Sequence, residues 1–113
     1  MKICHVINSL SGGGAETHLL DLVHAQKNQG HSVTVISTGP DKKNMKSLEQ
    51  EFKDVSDNVL RLYFPRLFNF YSYMKFFKNL KDEQYDIVHT HQPRSDFMFF
   101  ILKSFTGVKA KWI

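Results

Sequence analysis

Short apolar runs and helix-spaced apolar stripes alternate along this chain from one end to the other. "KICHVI", Lys2 to Ile7, carries β-branched Ile3, Val6 and Ile7 and closes on Asn8-Ser9, which predicts a buried strand. Three glycines follow, and then Ala15, Leu19, Leu22 and Val23 recur at helical spacing, with Leu20 widening the stripe. Gly30 supplies a left-handed stop, so the pattern predicts one helix of about four turns. "HSVTVIST" is a second strand, nearly all apolar and so covered on both faces. "GPDKKN" reads as a loop. Met45, Leu48 and Phe52 predict a short second helix, with Ser47 and Gln50 at capping-box spacing. "NVLRLYF" is a third strand, interrupted by Arg61. Leu67, Phe70, Tyr71, Met74, Phe77 and Leu80 mark a third helix ending near Asp82. "YDIVHTH" gives a fourth strand from Asp86 to His91, which Pro93 prevents from continuing. "SDFMFFILKSF" is a fourth helix stopped by Gly107, and "VKAKWI" begins a fifth strand.

Strand and helix alternate throughout, and the strands are close to continuously apolar. That combination predicts a doubly wound parallel sheet of the Rossmann-like α/β class, about five strands in order 3-2-1-4-5 with helices on both faces. The 113 residues form one domain by size, with no internal repeat or linker. Ligands in such sheets bind beyond the carboxyl ends of the strands where the order reverses, here between the first and fourth strands. Two loops face each other across that point, "SLSGGGAE" and "HQPRSD".

Composition narrows the setting. Hydrophobic residues make up 42% and charged residues 23%, which excludes a disordered chain. The longest apolar run, Phe97 to Leu102, is far too short to cross a bilayer, and the amino terminus reads as a strand, not a signal peptide. One cysteine, Cys4, gives no disulfide framework; it reads as a small buried hydrophobe and suits a reducing cytoplasm. Lys and Arg outnumber Asp and Glu by 15 to 11. That mild excess suits an anionic ligand, a membrane surface or a solvated exterior alike. No arginine-rich block or aromatic RNA-binding signature is present, so nucleic acid is not an expected partner.

The glycines precede a helix amino terminus, where free N–H groups and the partial positive charge favour phosphate or carboxylate. They do not make a dinucleotide fingerprint: Gly12 and Gly14 fit, but Thr17 stands where the third glycine is required. They do not make a P-loop either, because no Gly-Lys-Ser or Gly-Lys-Thr follows. Glu16 lies in the first helical turn and has two readings, a simple cap or a hydrogen-bond partner for ligand hydroxyls. His89 and His91 are two apart on a strand and share one side of the sheet. His89 reads as a supporting core histidine. His91 sits at the strand tip, where it can donate to a substrate oxygen or carry a proton near neutral pH. A metal on this pair would need a third ligand; His5, Glu16 and Asp96 exist, but their spacing supports none of them, so no metal site is expected. His18, His24 and His31 show no pairing and are expected on the surface. No two acidic residues fall at the switch point, so a paired-carboxylate hydrolysis scheme does not fit.

"SGGGAETHLLDLVHAQKNQGHSVTVIS", followed later by "YDIVHTHQP", resembles the amino-terminal half of family 4 retaining glycosyltransferases with the GT-B fold. Three features carry the resemblance in order: Gly13-Gly14-Ala15-Glu16 after the first strand, Gly30-His31 before the second, and Asp86 to His91 in the fourth. It covers essentially the whole chain. It implies a two-domain enzyme that moves a sugar from a nucleotide diphosphate sugar to an acceptor hydroxyl, with no metal or other cofactor. Residues 1–113 would be the acceptor-side domain, and the carboxyl-terminal domain that grips the nucleotide sugar is absent from this sequence. Carried over by position, Gly13, Gly14 and Glu16 form the donor phosphate and sugar loop. His91 is the catalytic histidine on the transferred sugar, and Asn8, His89 and Arg94 stand in supporting or acceptor-side positions. The expected partners are the donor and a glycan or lipid-linked acceptor, in the cytoplasm or at the inner face of the membrane. Alone, the domain is expected to be inactive and prone to self-association.

A second reading is a non-catalytic α/β module that offers the glycine loop to a phosphate ligand or a partner subunit. A third feature bears on location. "YFPRLFNFYSYMKFFKNLK" interleaves aromatics with Arg66, Lys75, Lys78 and Lys81, a pattern that docks on anionic bilayers when the aromatics are exposed, and packs on a sheet when they are not.

Overall fold

The computed structural model describes residues 1–39, 46–62, 70–91 and 111–112. Its five strands are β1 (Lys2–Ile7), β2 (Ser32–Ser37), β3 (Asn58–Arg61), β4 (Ile87–Thr90) and β5 (Lys111–Trp112), all parallel in the order β3-β2-β1-β4-β5. The helices are α1 (Gly14–Asn28), α2 (Glu49–Val55) and α3 (Phe70–Glu83). The expected Rossmann-like class and strand order are therefore observed. The fourth helix expected from "SDFMFFILKSF" lies outside the described residues, as do Leu67, Arg94 and Asp96.

Alternation along β1 decides what each layer contains. Ile3 and Ile7 point to one face with Val33 and Val35 of β2, where α1 and α2 cover them with Leu19, Val23 and Phe52. Cys4 and Val6 point to the other face with Ile36 and Val88, under Phe76 and Leu80 of α3. Each layer has an apolar cluster, and each fully buried Phe contributes about 1.5–3 kcal/mol by removal from water. Gly30 ends α1 at φ +88, the left-handed conformation that glycine adopts without penalty.

The amino ends of the strands are held by polar staples. Asp57 accepts from the Val33 N–H at 2.6 Å and from Lys27 Nζ at 2.7 Å. The hydrogen bond from Lys27 is the main reason its carboxyl sits below the ordinary range. Asp86 accepts from the Lys2 N–H at 2.8 Å, and Lys2 Nζ reaches Glu83 Oε2 at 3.0 Å. These contacts fix the end of the sheet opposite the crevice.

Three local expectations need correction. Ala15 is exposed, and the buried residues of α1, which begins at the last glycine, Gly14, are Glu16, Leu19 and Val23. Ser47 and Gln50 do not form a capping box: Leu48 is the N-cap residue of α2, and Ser47 Oγ instead accepts from the Glu49 N–H at 3.2 Å. On α3, Tyr71 and Met74 are exposed, while Phe76 is completely buried. The helix is rotated from the expected stripe because Phe76 and Leu80, one turn apart, fill the space over β1 and β4. Among the described residues, no helix is long and apolar enough to cross a membrane.

Candidate active site

The switch point lies between β1, whose next strand β2 is on one side, and β4, whose next strand β5 is on the other, and the chain leaving β1 builds one side of it. Asn8 is half-buried, and its carbonyl accepts from the Gly39 N–H at 2.7 Å and from Ser37 Oγ at 3.3 Å. A Cβ on Gly39 would stand only 3.0 Å from that carbonyl oxygen, so the ends of β1 and β2 are locked together by close backbone approach. Leu10 then turns into the core.

The three glycines serve different purposes. Gly12 donates its N–H to the Lys46 carbonyl at 2.7 Å, next to a two-residue antiparallel bridge between Ser11 and Ser47. A Cβ there would press on the Lys46 oxygen at 3.3 Å, so the close neighbour of Gly12 is the protein itself. Gly13 is the N-cap residue of α1, extended at φ −78 and ψ 175, and its carbonyl accepts from the Thr17 N–H at 3.0 Å. Gly14 opens the helix, is exposed, and a Cβ on it would meet nothing within 4 Å. The fold leaves that position bare on the crevice side of a helix amino terminus.

Glu16 is fully buried and turns back so that Oε2 accepts from the Gly13 N–H at 3.0 Å. Of its two sequence readings, the geometry shows the cap. The carboxylate stabilises the start of α1 and shapes the loop from within.

Three histidines occupy the opposite wall. Parallel register pairs His5 with His89, and His91 follows two residues later on the same face. The His91 N–H donates to the Val6 carbonyl at 3.0 Å, which holds the strand tip against β1. His5 is completely buried, and His89 and His91 are half-buried. Ring centroids lie 5.4 Å apart for His5 and His89, 5.0 Å for His5 and His91, and 4.0 Å for His89 and His91. His5 Nδ1 is 2.8 Å from His91 Nε2, and His5 Nε2 is 2.7 Å from Oε1 of Gln26 on α1.

That chain of contacts fixes the protons. Gln26 Oε1 can only accept, so His5 carries its proton on Nε2. His5 Nδ1 then accepts, and His91 must donate from Nε2, which leaves His91 Nδ1 as an acceptor. Both rings stay neutral at physiological pH. Burial lowers the His5 pKa to about 4, against a favourable hydrogen bond donated to Gln26. Burial also lowers that of His91 to about 3, helped by the like charges that His89, His5 and His18 would carry. His91 is therefore a hydrogen-bond acceptor held in one tautomer.

The structure thus brings the glycine loop and His91 to one switch point and stacks His89 behind His91; Arg94 lies outside the described residues. Sequence reading named His5 only as a third metal ligand that spacing did not support, and missed Gln26 as a member of the site. Nothing in linear spacing joins residues 5, 26 and 89, but once the strand order 2-1-4 was inferred, counting register from the strand starts would have paired His5 with His89.

Comparison with known proteins defines the class first. Over 99% of its length the chain superposes on lipopolysaccharide outer core galactosyltransferase WaaB in its apo form, with a TM-score of 0.70 and 18% identity. A glycosyltransferase from Rickettsia africae ESF-5 matches over 98% of the chain at 0.69 and 22%, and Anabaena Alr3699/HepE in complex with UDP and glucose over 99% at 0.68 and 15%. The chain spans 32%, 28% and 29% of those three proteins, so it corresponds to about a third of each. The fold is that of an amino-terminal GT-B domain. Residues 12–110 match the Glycosyltransferase Family 4 model, and the chain belongs to that family. No curated protein sequence matches it.

Proposed function

We propose that this chain is the acceptor-side domain of a transferase that moves a sugar from a nucleotide diphosphate sugar to an acceptor hydroxyl with retention at the anomeric carbon. One observation carries the reading: Gly14, bare at the amino end of α1, and His91, neutral and held in a single tautomer, follow the carboxyl ends of β1 and β4, the two strands that flank the switch point. The helix terminus offers N–H groups and positive potential to a diphosphate, and only a glycine leaves room for that approach. His91 Nδ1 accepts from a sugar hydroxyl and orients the ring as the diphosphate departs. Contacts of this kind accelerate transfer when they strengthen at the transition state. In this reading the grip on the nucleotide lies in a second domain, and transfer needs no metal. That a solved relative holds UDP and glucose supports the choice of donor class.

The acceptor is a glycan or lipid-linked glycan, met at an anionic inner membrane surface. Support comes from the outer face of α3, where Tyr71 is 67% and Met74 48% exposed and Lys75 Nζ lies 4.6 Å over the Tyr71 ring. Cosedimentation with phosphatidylglycerol vesicles, lost in a Tyr71→Ser/Met74→Ser variant, checks that part.

The donor site is tested by titrating the isotope-labelled chain with UDP–glucose. Shifts at the Gly13 and Gly14 amides and the His91 imidazole are expected. Shifts confined to another surface, or none at millimolar ligand, refute the assignment.

A further inference from the structure

We propose that His5, His89 and His91 bind a divalent transition-metal cation of the zinc type, and that filling this site closes His91 to substrate. One ligand atom from each of the three residues lies within 4.8 Å of the others; His5 and His89 pair across β1 and β4, and His91 follows two residues on, past the end of β4. Zinc held by imidazole nitrogens has bonds of about 2.0–2.1 Å in tetrahedral array, which sets ligand nitrogens about 3.4 Å apart and ring centroids about 5 Å apart. The two cross-strand centroid distances, 5.4 Å and 5.0 Å, already have that value. Only His89 and His91, at 4.0 Å, must splay, by about 1 Å through side-chain rotation.

The surroundings fit a ligand set. His5 is anchored from behind by Gln26 Oε1 at 2.7 Å, which holds the proton on Nε2 and turns the lone pair of Nδ1 toward the cluster. A hydrogen-bonded partner of this kind orients metal-bound histidines generally. His89 and His91 are half-buried, which leaves a path for the ion and a fourth position for water. With three nitrogen donors and no carboxylate among them, the cluster suits Zn2+, Ni2+ or Cu2+ and discriminates against Mg2+ and Ca2+.

Loading has a defined proton balance. In the metal-free state a proton sits on His91 Nε2, in the 2.8 Å contact with His5 Nδ1. The cation takes the lone pair of His5 Nδ1 and displaces the proton from His91 Nε2, which moves through water to His91 Nδ1, so the His5–His91 pair releases no proton. His91 is then turned into a donor at the nitrogen that accepts from substrate. Binding stands independently of the transfer proposal; only its inhibitory consequence rests on it.

The test uses the whole chain with ZnCl2 as probe and MgCl2 as control, read by calorimetry and by imidazole 15N shifts. One Zn2+ per chain is expected, with metal-type shifts at His5 Nδ1 and at His89 and His91, and no response to Mg2+. His89→Gln and His91→Gln should each weaken Zn2+ at least tenfold, whereas a His18→Gln/His24→Gln/His31→Gln chain should bind as the parent does. His5→Gln is not needed for the decision, since His5 is buried and its loss disturbs the sheet. Zn2+ affinity unchanged in His89→Gln and His91→Gln, or lost in the triple surface variant, overturns the site. In a transfer assay, tight Zn2+ binding at the cluster with undiminished turnover overturns the inhibitory role alone. Absence of transfer with intact Zn2+ binding counts against the functional proposal and leaves the metal site standing.

Discussion

On the α3 side of the sheet, Cys4, Val6, Ile36 and Val88 meet Phe76 and Leu80; on the α1 side, the run from Ile3 to Ile7 is broken at its centre by His5, with His89 beside it. The same strands make both faces, with the same burial. On the first face the buried thiol of Cys4 has its pKa driven upward by desolvation and does no acid–base work. On the second, the helix answers the histidine: the stripe of α1 runs Glu16, Leu19, Val23, Gln26, apolar in the middle and polar at both ends. Glu16 caps the glycine loop and Gln26 fixes the His5 tautomer, so α1 holds both the loop and the histidines, while the inner face of α3 only packs. The buried histidine of this sheet has its partner on the covering helix, the same helix whose amino terminus follows the glycine loop.

The comparison breaks most visibly in the dry layer. Phe76→Ala removes a completely buried ring, and such deletions cost about 3–5 kcal/mol. Urea unfolding should show that loss, while the 15N shifts of His5 and His91 stay as in the parent. Perturbed imidazole shifts would mean that the two faces are coupled through the sheet.

Acid should strike the other face. In the fold His5 has its pKa lowered from 6.5 to about 4, and His91 is lowered to about 3. The unfolded chain therefore binds more protons than the native one between these values and 6.5. The stability contributed by the neutral histidines is fully present above pH 6.5 and is lost as pH falls through the folded pKa values. For His5 the shift corresponds to a loss on the order of 3 kcal/mol by pH 4. Asp57, whose carboxyl is lowered mainly by Lys27, adds its own loss only below the ordinary carboxylate range near 3.8. Unfolding midpoints at pH 7, 6 and 5 should fall steadily, and less so in His91→Gln. A flat profile would show that the histidines charge without leaving the fold.

Within the histidine layer, position along the strand separates roles. In a protein that pairs this domain with its nucleotide-binding domain, His91→Ala should lower turnover about a hundredfold, near 2.7 kcal/mol, with donor affinity little changed. His89→Ala should mainly lower the unfolding midpoint, because it stacks 4.0 Å behind His91. If His89→Ala is folded and inactive while His91→Ala turns over, the two roles are exchanged.

Much of this was legible beforehand. Apolar runs at Lys2 to Ile7 and Ser32 to Ser37 can only be buried parallel strands, and the helix between them has a clear glycine stop, so topology and switch point followed. The rotation of α3 did not, because the run Phe70 to Phe77 is aromatic on several sides and period alone cannot choose which side faces the sheet. His5, too, looked like one more strand residue. Its meaning depends on register with His89 and on Gln26, contacts that join residues 84 and 21 positions away.

The smallest expected effect divides the glycine run itself, which follows β1 and opens α1. Gly12 and Gly14 are two residues apart, yet a Cβ on the first meets the Lys46 oxygen at 3.3 Å and a Cβ on the second meets nothing. Gly12→Ala should therefore cost about 1 kcal/mol of stability through crowding of the 46–48 segment. Gly14→Ala, at a helical position with no clash, should stabilise by about 0.4–1 kcal/mol by restricting the unfolded chain. Ligand binding should respond in the opposite sense: UDP–glucose affinity is kept in Gly12→Ala and falls in Gly14→Ala, and further in Gly14→Val, because the added carbon occupies the space a phosphate needs. Thermal melts and ligand titrations on the three variants measure both quantities. A Gly14→Val chain that melts as the parent does and binds UDP–glucose as tightly would leave the bare helix terminus without a ligand, and His91 would be the only part of the crevice still assigned to the sugar.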